Sequence, residues 1–247
     1  MMTIRTAAEA RALGTVLGVW AHPDDETYLS SGLMALARRA GNRVVCVTAT
    51  RGEHGTDDPR NWPPARLART RTYELAAAMT VLGVDEHRWL DFEDGTLARL
   101  DLAHGAAMVT DLLAEIRPDT VVTFGPDGMT GHPDHRAVAE WVRRACLDDT
   151  RAPGPPRLLQ ATVTAAFAAE FADIHTAVSV FGEGPPPCVA DEEIVVEIRL
   201  DDELADLKLA ALRTQATQVK PLIDAVGVDR FRQWWQVERF RSAAPTR

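Results

Sequence analysis

Two short stretches concentrate groups that bind metals and move protons. Ala21-His22-Pro23-Asp24-Asp25-Glu26 closes an apolar run that begins at Val16, and Gly131-His132-Pro133-Asp134-His135 follows another, Thr120 to Phe124, after a turn-rich loop. His22 and Asp25 are three residues apart, as are His132 and His135, and residues i and i+3 in a first helical turn share a face. A borderline cation such as Zn²⁺ takes about four ligands drawn from imidazole and carboxylate, at roughly 2.0–2.2 Å; three protein ligands plus water make a catalytic site rather than a closed structural one. The histidines favour Zn²⁺ over Mg²⁺ or Ca²⁺, and Fe²⁺, Mn²⁺ and Co²⁺ accept the same donors. Each cluster has a member to spare. Water activated by a metal still has a proton to lose, and Asp24, adjacent to a ligand, is placed to take it. A tetrahedral oxyanion needs a donor besides the metal; His132, on the opposite wall, suits that role and the protonation of a leaving amine. Glu26 and Asp134 suit orienting the imidazoles or capping a helix. His54, His87, His104 and His175 stand alone and read as structural hydrogen-bonding residues.

These groups meet only if the two apolar runs are neighbouring parallel strands. Val16 to Ala21 is apolar but for Gly18 and reads as a core strand, and ligands bind at the carboxyl ends of strands in open α/β sheets. Leu29, Leu33, Leu36, Ala37 and Ala40 recur at helical spacing before Gly41-Asn42. Arg43 to Thr50 is a strand apolar on both faces, as a covered parallel strand should be. A helix from about Ala65 to Leu82, a weak strand at His87 to Leu90, and a helix through Leu102, Ala106, Val109, Leu113 and Ile116 follow. After the strand Val121 to Phe124, Pro133 fits a first helical turn and Val138, Trp141, Val142 and Ala145 continue it. Four alternations of strand and helix predict a parallel sheet with helices on both faces.

Asp57 to Pro64 is turn chemistry that, with Trp62, either walls a site or crosses the surface. Beyond a linker at Asp148 to Pro156 we read a strand at Leu158 to Thr164, a helix at Ala165 to Ser179 and a loop at Gly182 to Pro187. A half-exposed strand at Glu193 to Leu200 precedes a helix from Asp201-Asp202 to about Gln218, ending before Lys220-Pro221. Phe231, Trp234, Trp235 and Phe240 pack the tail onto the domain or a second subunit. Met1 to Gly14 is a short helix or a frayed tail.

At 247 residues, 46% hydrophobic and 26% charged, the chain reads as one domain able to bury a core. Its 27 basic and 36 acidic residues leave a charge of −9, which argues against a polyanion-binding surface, so nucleic acid is not an expected partner. Cys46, Cys146 and Cys188 form no CxxC pair and read as buried thiols in a reducing compartment. No run reaches the ~18 apolar residues of a membrane helix and no signal-like segment opens the chain. The expectation is a cytoplasmic protein with a small-molecule partner, homo-oligomerisation being left open.

At the residues quoted first, the chain resembles the LmbE-like, or PIG-L-type, zinc-dependent N-acetylglucosaminyl deacetylases. Their hallmarks are Ala-His-Pro-Asp-Asp-Glu near the start and His-Pro-Asp-His mid-chain. The resemblance extends over Val16 to Ala139 and includes Thr50-x-Gly-Glu53-x-Gly55, Arg71-x-x-Glu74-Leu with Leu82-Gly83, Asp94-Gly95, and Arg117-Pro118-Asp119 leading into Phe124-Gly125-Pro126, with a weaker echo at Lys208 to Gln218. It implies a Rossmann-like, mostly parallel sheet in a single domain over 1–247, with a motif core at about 15–147 and a variable substrate-side region at about 148–247. It further implies one zinc held by His22, Asp25 and His135, Asp24 as general base, and His132 as electrophilic or general-acid partner. The implied chemistry is hydrolysis of the amide of a 2-acetamido sugar or sugar conjugate, releasing acetate and a free amine. Arg71 matches a position that holds substrate in related sugar deacetylases, Asp94 one suited to a sugar hydroxyl, and Glu53 one that braces its loop. Two departures stand out. Thr130 occupies a position where some relatives carry a tyrosine that helps the tetrahedral intermediate, and Gln215 one where the C-terminal pattern often has histidine.

A dinucleotide-dependent oxidoreductase is the fold-level competitor. Ala21 to Glu26 contains no glycine, has Pro23 in the turn, and aims carboxylates where a pyrophosphate would lie. An amidase of the same fold acting on a thiol conjugate or a secondary-metabolite intermediate stays open, since fold and site do not fix substrate. A non-catalytic metal- or ligand-binding protein would be favoured by a missing ligand or base, and every member of the constellation is present.

Overall fold

The apolar runs become strands and the periodic segments helices in a computed structural model that describes residues 1–147, 155–178, 180–181 and 184–243. Their order begins β1 (Met2–Ile4), α1 (Ala7–Ala10), β2 (Val16–Trp20), α2 (Asp25–Arg39), β3 (Val44–Thr50), α3 (Pro64–Leu82), β4 (Glu86–Phe92), α4 (Leu102–Ile116), β5 (Thr120–Phe124) and α5 (Pro133–Leu147). It continues with β6 (Arg157–Thr164), α6 (Ala165–Glu170), α7 (Ala172–Val178), β7 (Cys188–Val189), β8 (Ile194–Arg199), α8 (Asp202–Thr214), α9 (Ala216–Val226), α10 (Val228–Trp234) and β9 (Val237–Ser242). Most of the linker expected at Asp148 to Pro156, the expected helix end Ser179 and the loop residues Gly182 and Glu183 lie outside the described residues.

One sheet runs β1-β8-β9-β6-β5-β2-β3-β4, with β7 beside β6. Every pairing is parallel except those of β9 with β6 and β8. Val16 of β2 pairs with Val44 of β3 on one side and Thr120 of β5 on the other. The chain therefore moves outward from β2 through β3 to β4, then crosses back to β5, and the strand order reverses between β2 and β5. Such a reversal opens a crevice at the strands' carboxyl ends. Helices flank the sheet, α2, α3 and α8 packing on one another and α4 on α5. All of β2, β3 and β5 is buried. Their last side chains close the crevice floor, Trp20 meeting Phe124 edge-on with centroids 5.0 Å apart. Among the described residues no helix is long and apolar enough to cross a membrane.

Several elements differ from the expectation. Met2–Ile4 adds to the sheet beside β8 ahead of the short helix, so the start is not simply helical or frayed. The aromatic tail carries β9, inserted antiparallel between β6 and β8. Its inward positions alternate Glu238 with Phe240, and a carboxylate at a core position hides the period-two pattern. Lys208 Nζ offsets that buried charge at 2.8 Å, and the Gly32 and Leu33 N–H groups donate to it. The partner strand β8 is mostly buried rather than half-exposed, for the same reason. The helix expected to reach Gln218 breaks at Gln215 and resumes as α9, with Pro221 inside it at the loss of one ladder donor. Trp62 is half-buried beneath the Arg66 guanidinium, 4.6 Å away, and does not border the cavity described below. Cys46 and Cys146 are buried thiols, but Cys188 is exposed.

Candidate active site

The turn after β2 carries strain that its neighbours hold in place. Asp24 has φ 109° and ψ −29°, a region non-glycine residues rarely occupy and one that tends to mark functional sites. Its N–H donates to Glu26 Oε2 at 3.1 Å. The other oxygen of Glu26 accepts from Thr27 Oγ1 at 2.6 Å and Gln215 Nε2 at 2.8 Å, so Gln215 braces the turn from the break between α8 and α9. Arg71, on α3, donates from Nη1 to the Gly52 carbonyl at 2.8 Å and from Nη2 to the Pro23 carbonyl. A Cβ on Gly52 would lie 2.1 Å from Nη1, and its φ of +62° is itself one that favours glycine. Only glycine there admits the guanidinium, whose Nη2 also lies 3.5 Å from Asp24 Oδ2.

The second cluster is built the same way, from a loop onto the first turn of α5. His135 stacks flat on Phe124, centroids 4.2 Å apart, and its Nδ1 lies 2.9 Å from the Gly128 carbonyl. Asp134 does not cap its own helix. Fully buried, it accepts from the Gly95 N–H at 2.7 Å and the Leu97 N–H at 3.0 Å, which ties the loop after β4 to α5. Glu53 accepts from the Asp94 N–H at 3.0 Å and so braces that loop from the one after β3. The Asp134 N–H donates to His132 Nδ1 at 3.2 Å, which leaves the proton of a neutral His132 on Nε2.

Proton placement identifies what the centre is for. The Gly128 carbonyl only accepts, so His135 Nδ1 carries a proton and Nε2 a lone pair. His22 Nε2 lies 3.0 Å from Asp94 Oδ1 and 3.5 Å from Asp134 Oδ2. These are close charge contacts rather than aligned hydrogen bonds, but two carboxylates tolerate only a proton there, which makes Nδ1 the lone-pair atom of the neutral ring. The two lone pairs face each other at 3.0 Å, with Asp25 Oδ1 3.3 Å from His135 Nε2 and Asp25 Oδ2 3.7 Å from His22 Nδ1. Ligands at about 2.0–2.1 Å around a tetrahedral ion stand roughly 3.3 Å apart. Donor type and spacing thus fit zinc, and Asp94 and Asp134 behind His22 make the carboxylate–histidine arrangement common around it. His132 also falls within 4.8 Å of the other two imidazoles, while His22, Asp94 and Asp134 form a second such grouping. In that second group the carboxylates are already held by backbone N–H groups, so we read them as supports of the ring.

Burial opposes charge on His22, yet its contacts with Asp134, Asp94 and Asp25 outweigh it and raise the imidazole to about 10, so without a cation Nδ1 also holds a proton, facing His135 Nε2 at 3.0 Å, and a cation bound there would displace that proton. Burial drops His135 to about 4. Burial pushes the Asp24 carboxyl up to about 8, against the pull of Arg71, and raises Glu26 as well. Burial also lowers His132, favouring its neutral form. Asp24, Asp25, Glu26, Asp94 and Asp134 crowd carboxylates around one guanidinium, and a divalent cation would relieve that surplus.

A cavity of about 480 Å³ opens on this centre, within the roughly 300–1,000 Å³ usual for small-molecule sites. His22, Asp24, Asp25, Arg71, Asp94, His132 and His135 all border it, as do Thr130 and His54. Asp94 has one oxygen against His22 and the other accepting from the His54 N–H at 2.9 Å. Tyr28 and Gln218 border the cavity as well, without having been expected from the sequence, and so do Trp234 and Trp235, which were expected only to pack. Tyr28 follows Asp24 by four residues on α2, a spacing that puts both on one helical face and could have disclosed it. Its hydroxyl is buried without a partner among the described residues.

Comparison with known proteins agrees with this geometry. A family model described as PIG-L, GlcNAc-PI de-N-acetylase, matches residues 17–146. A 1D-myo-inositol 2-acetamido-2-deoxy-alpha-D-glucopyranoside deacetylase from Kineococcus radiotolerans is 34% identical over 254 aligned positions, covering 85% of this chain and 70% of the relative. A probable N-acetyl-alpha-D-glucosaminyl L-malate deacetylase from Bacillus subtilis is 31% identical, over 84% of this chain and 85% of its own. Among solved structures, N,N'-diacetylchitobiose deacetylase from Pyrococcus horikoshii superposes with a TM-score of 0.66 at 21% identity, covering 94% of this chain and 84% of that one. At that identity the likeness speaks for the fold alone.

Proposed function

Since the chain belongs to the PIG-L family of GlcNAc-PI de-N-acetylases, we propose that it is a zinc-dependent N-deacetylase acting on a 2-acetamido sugar or sugar conjugate. The observation that carries this reading is the convergence of three lone-pair donors, His22 Nδ1, His135 Nε2 and the Asp25 carboxylate, beside a cavity that Asp24 and His132 also border. Those three would hold the ion. When bound, zinc supplies Lewis acidity, polarising the amide carbonyl and bringing the pKa of water towards about 7.

The remaining work falls to the chain's own groups. Asp24 takes a proton from the attacking water, whose oxygen bonds to the acyl carbon. Arg71, 3.5 Å away, favours the ionised carboxylate and fixes the strained turn through the Pro23 and Gly52 carbonyls. His132 donates from Nε2 to the developing oxyanion. As the C–N bond breaks, the proton that Asp24 took from water passes to the nitrogen, while His132 keeps its own and continues to donate to the oxygen. Water's oxygen leaves in acetate, and the nitrogen leaves as an amine. Asp94 and Asp134 hold the His22 ring, and Asp94 and Arg71 also border the space a sugar hydroxyl would fill. Thr130, 3.3 Å from His135 Nδ1, sits too far back on that ring's outer edge to replace a tyrosine. We place the reaction in the cytoplasm, the three cysteines being free thiols.

The test is incubation of the zinc-loaded protein with N-acetylglucosaminides, measuring amine and acetate together. Equimolar release of both is expected. Release of neither from any 2-acetamido sugar overturns the reading.

A further inference from the structure

The cavity has two unlike ends. One presents the imidazoles, carboxylates and guanidinium described above. The other is walled by Tyr28, Leu29, Phe181, Leu222, Trp234 and Trp235. The family-matched stretch ends at 146, so it supplies the chemistry together with Tyr28 and Leu29, and the later part of the chain supplies the rest of this wall.

The aromatic part of the wall is fixed by its own packing. Tyr28 meets Trp235 at 5.5 Å between centroids and Phe231 at 6.2 Å; Trp234 and Trp235 lie 4.9 Å apart, and Phe167 backs Trp235 at 5.6 Å. Its polar atoms are withdrawn. Trp234 Nε1 donates to His175 Nε2 at 3.2 Å, and Trp235 Nε1 is buried. A substituent lodged here therefore meets carbon, while Gln218 and His54 border the same cavity with polar groups a sugar can use.

We infer that the substrate carries an apolar group, aryl or alkyl, next to its acetamido sugar, and that this group seats against Leu222, Trp234 and Trp235. The inference rests on the deacetylase reading above. A polyol in the same place would turn its hydroxyls onto carbon, and each one left unpaired lowers affinity on the order of tenfold. Each buried methylene instead raises affinity about fourfold. A phenyl in place of a methyl group adds five carbons; burying about half of that increment gives a preference of roughly 30-fold.

Two sources of the apolar group share this chemistry, an aglycone on the glycosidic oxygen and an acyl chain longer than acetyl. The experiment measures kcat/KM of the zinc-loaded enzyme on the phenyl, methyl and myo-inosityl glycosides of N-acetylglucosamine and on the methyl glycoside of N-hexanoylglucosamine. The phenyl or the N-hexanoyl compound should exceed the methyl N-acetyl compound by at least about 30-fold, chiefly through KM, and the one that does so identifies where the group is attached. Leu222→Asn should cut that ratio to below about fivefold, and Leu222→Met should restore it. Calorimetric titration with phenyl and methyl glucosaminides reads the same preference without turnover. Both compounds within about threefold of the methyl reference, or the inosityl glycoside the best of the set, overturns the inference and leaves the deacetylase reading standing. Preferential binding of the phenyl glucosaminide with no amine released from any glycoside does the reverse.

Discussion

Replacing Arg71 with methionine removes one buried cation from a crowd of carboxylates, and the structure sets the size of two effects. Arg71 is 4% exposed, and its guanidinium donates to the Gly52 and Pro23 carbonyls. Leaving both acceptors unpaired costs about 1–3 kcal/mol each, so the folded state should lose about 2–6 kcal/mol. The second effect falls on Asp24. A unit charge 3.5 Å from Asp24 Oδ2 is worth about 1 kcal/mol in a water-like medium and about 5 kcal/mol at an effective dielectric near 20, or roughly 1 to 3.5 pKa units. Loss of a neighbouring positive charge raises a carboxyl pKa, so the rising limb of kcat/KM against pH should move to higher pH by that amount. Arg71→Lys keeps the charge without the two-pronged fork. It should recover part of the limb position and less of the stability. The assays are urea denaturation at fixed zinc and a pH–rate profile of the zinc-loaded variants. A limb that stays within about 0.3 unit of wild type, in a variant that still holds its metal, would refute the coupling of Arg71 to Asp24.

Other residues give independent tests. Asp24→Asn should keep its zinc and lose at least about 10²-fold in kcat; metal analysis alongside amine release checks both, and wild-type rates would remove Asp24 from the mechanism. Lys208 is buried, donating to the Tyr28 carbonyl at 2.6 Å and to Glu238 at 2.8 Å. Lys208→Met leaves that carboxylate without its counter-charge and should cost about 3–5 kcal/mol in denaturant melts, whereas a loss under about 1 kcal/mol contradicts the pairing. Burial, with the Arg51 charge, drops His87 to about 4. A folded value below the unfolded one of about 6.5 means that stability is intact above pH 6.5 and falls as pH drops towards 4, by up to about 1.4 kcal/mol per unit from this group. His87→Gln should remove that slope, and melts between pH 7 and 4.5 with the wild-type slope retained would count against it.

Much of the centre is legible in the sequence because its geometry is local. His22 and Asp25, and His132 and His135, each occupy one turn, and the apolar runs before them could only be core strands. Alternation of strand and helix predicts the parallel sheet but not its strand order, and the return crossover that lands β5 beside β2 is seen only in the structure. The supports were harder to see because they act across long sequence separations. Gln215 reaches Glu26, Arg71 reaches Pro23, and Asp134 reaches the backbone of the loop after β4. None of these residues carries a local pattern that announces its partner. The strand β9 was hidden by Glu238, whose burial makes sense only once Lys208 is beside it. The aromatic tail looked like packing and is packing, but its outer faces also form the cavity wall. That double use appears only when α9 and α10 are placed over the crevice.

The most direct test of the central claim is a titration. Zinc is returned stepwise to chelator-stripped protein while amine release from an N-acetylglucosaminide is followed and bound metal is counted. Activity should be absent at the start, rise linearly, and break at one equivalent per chain, with His135→Ala failing to retain the ion. Undiminished amine release after stripping, or a rise that does not track the bound metal, would contradict a centre built on His22, Asp25 and His135.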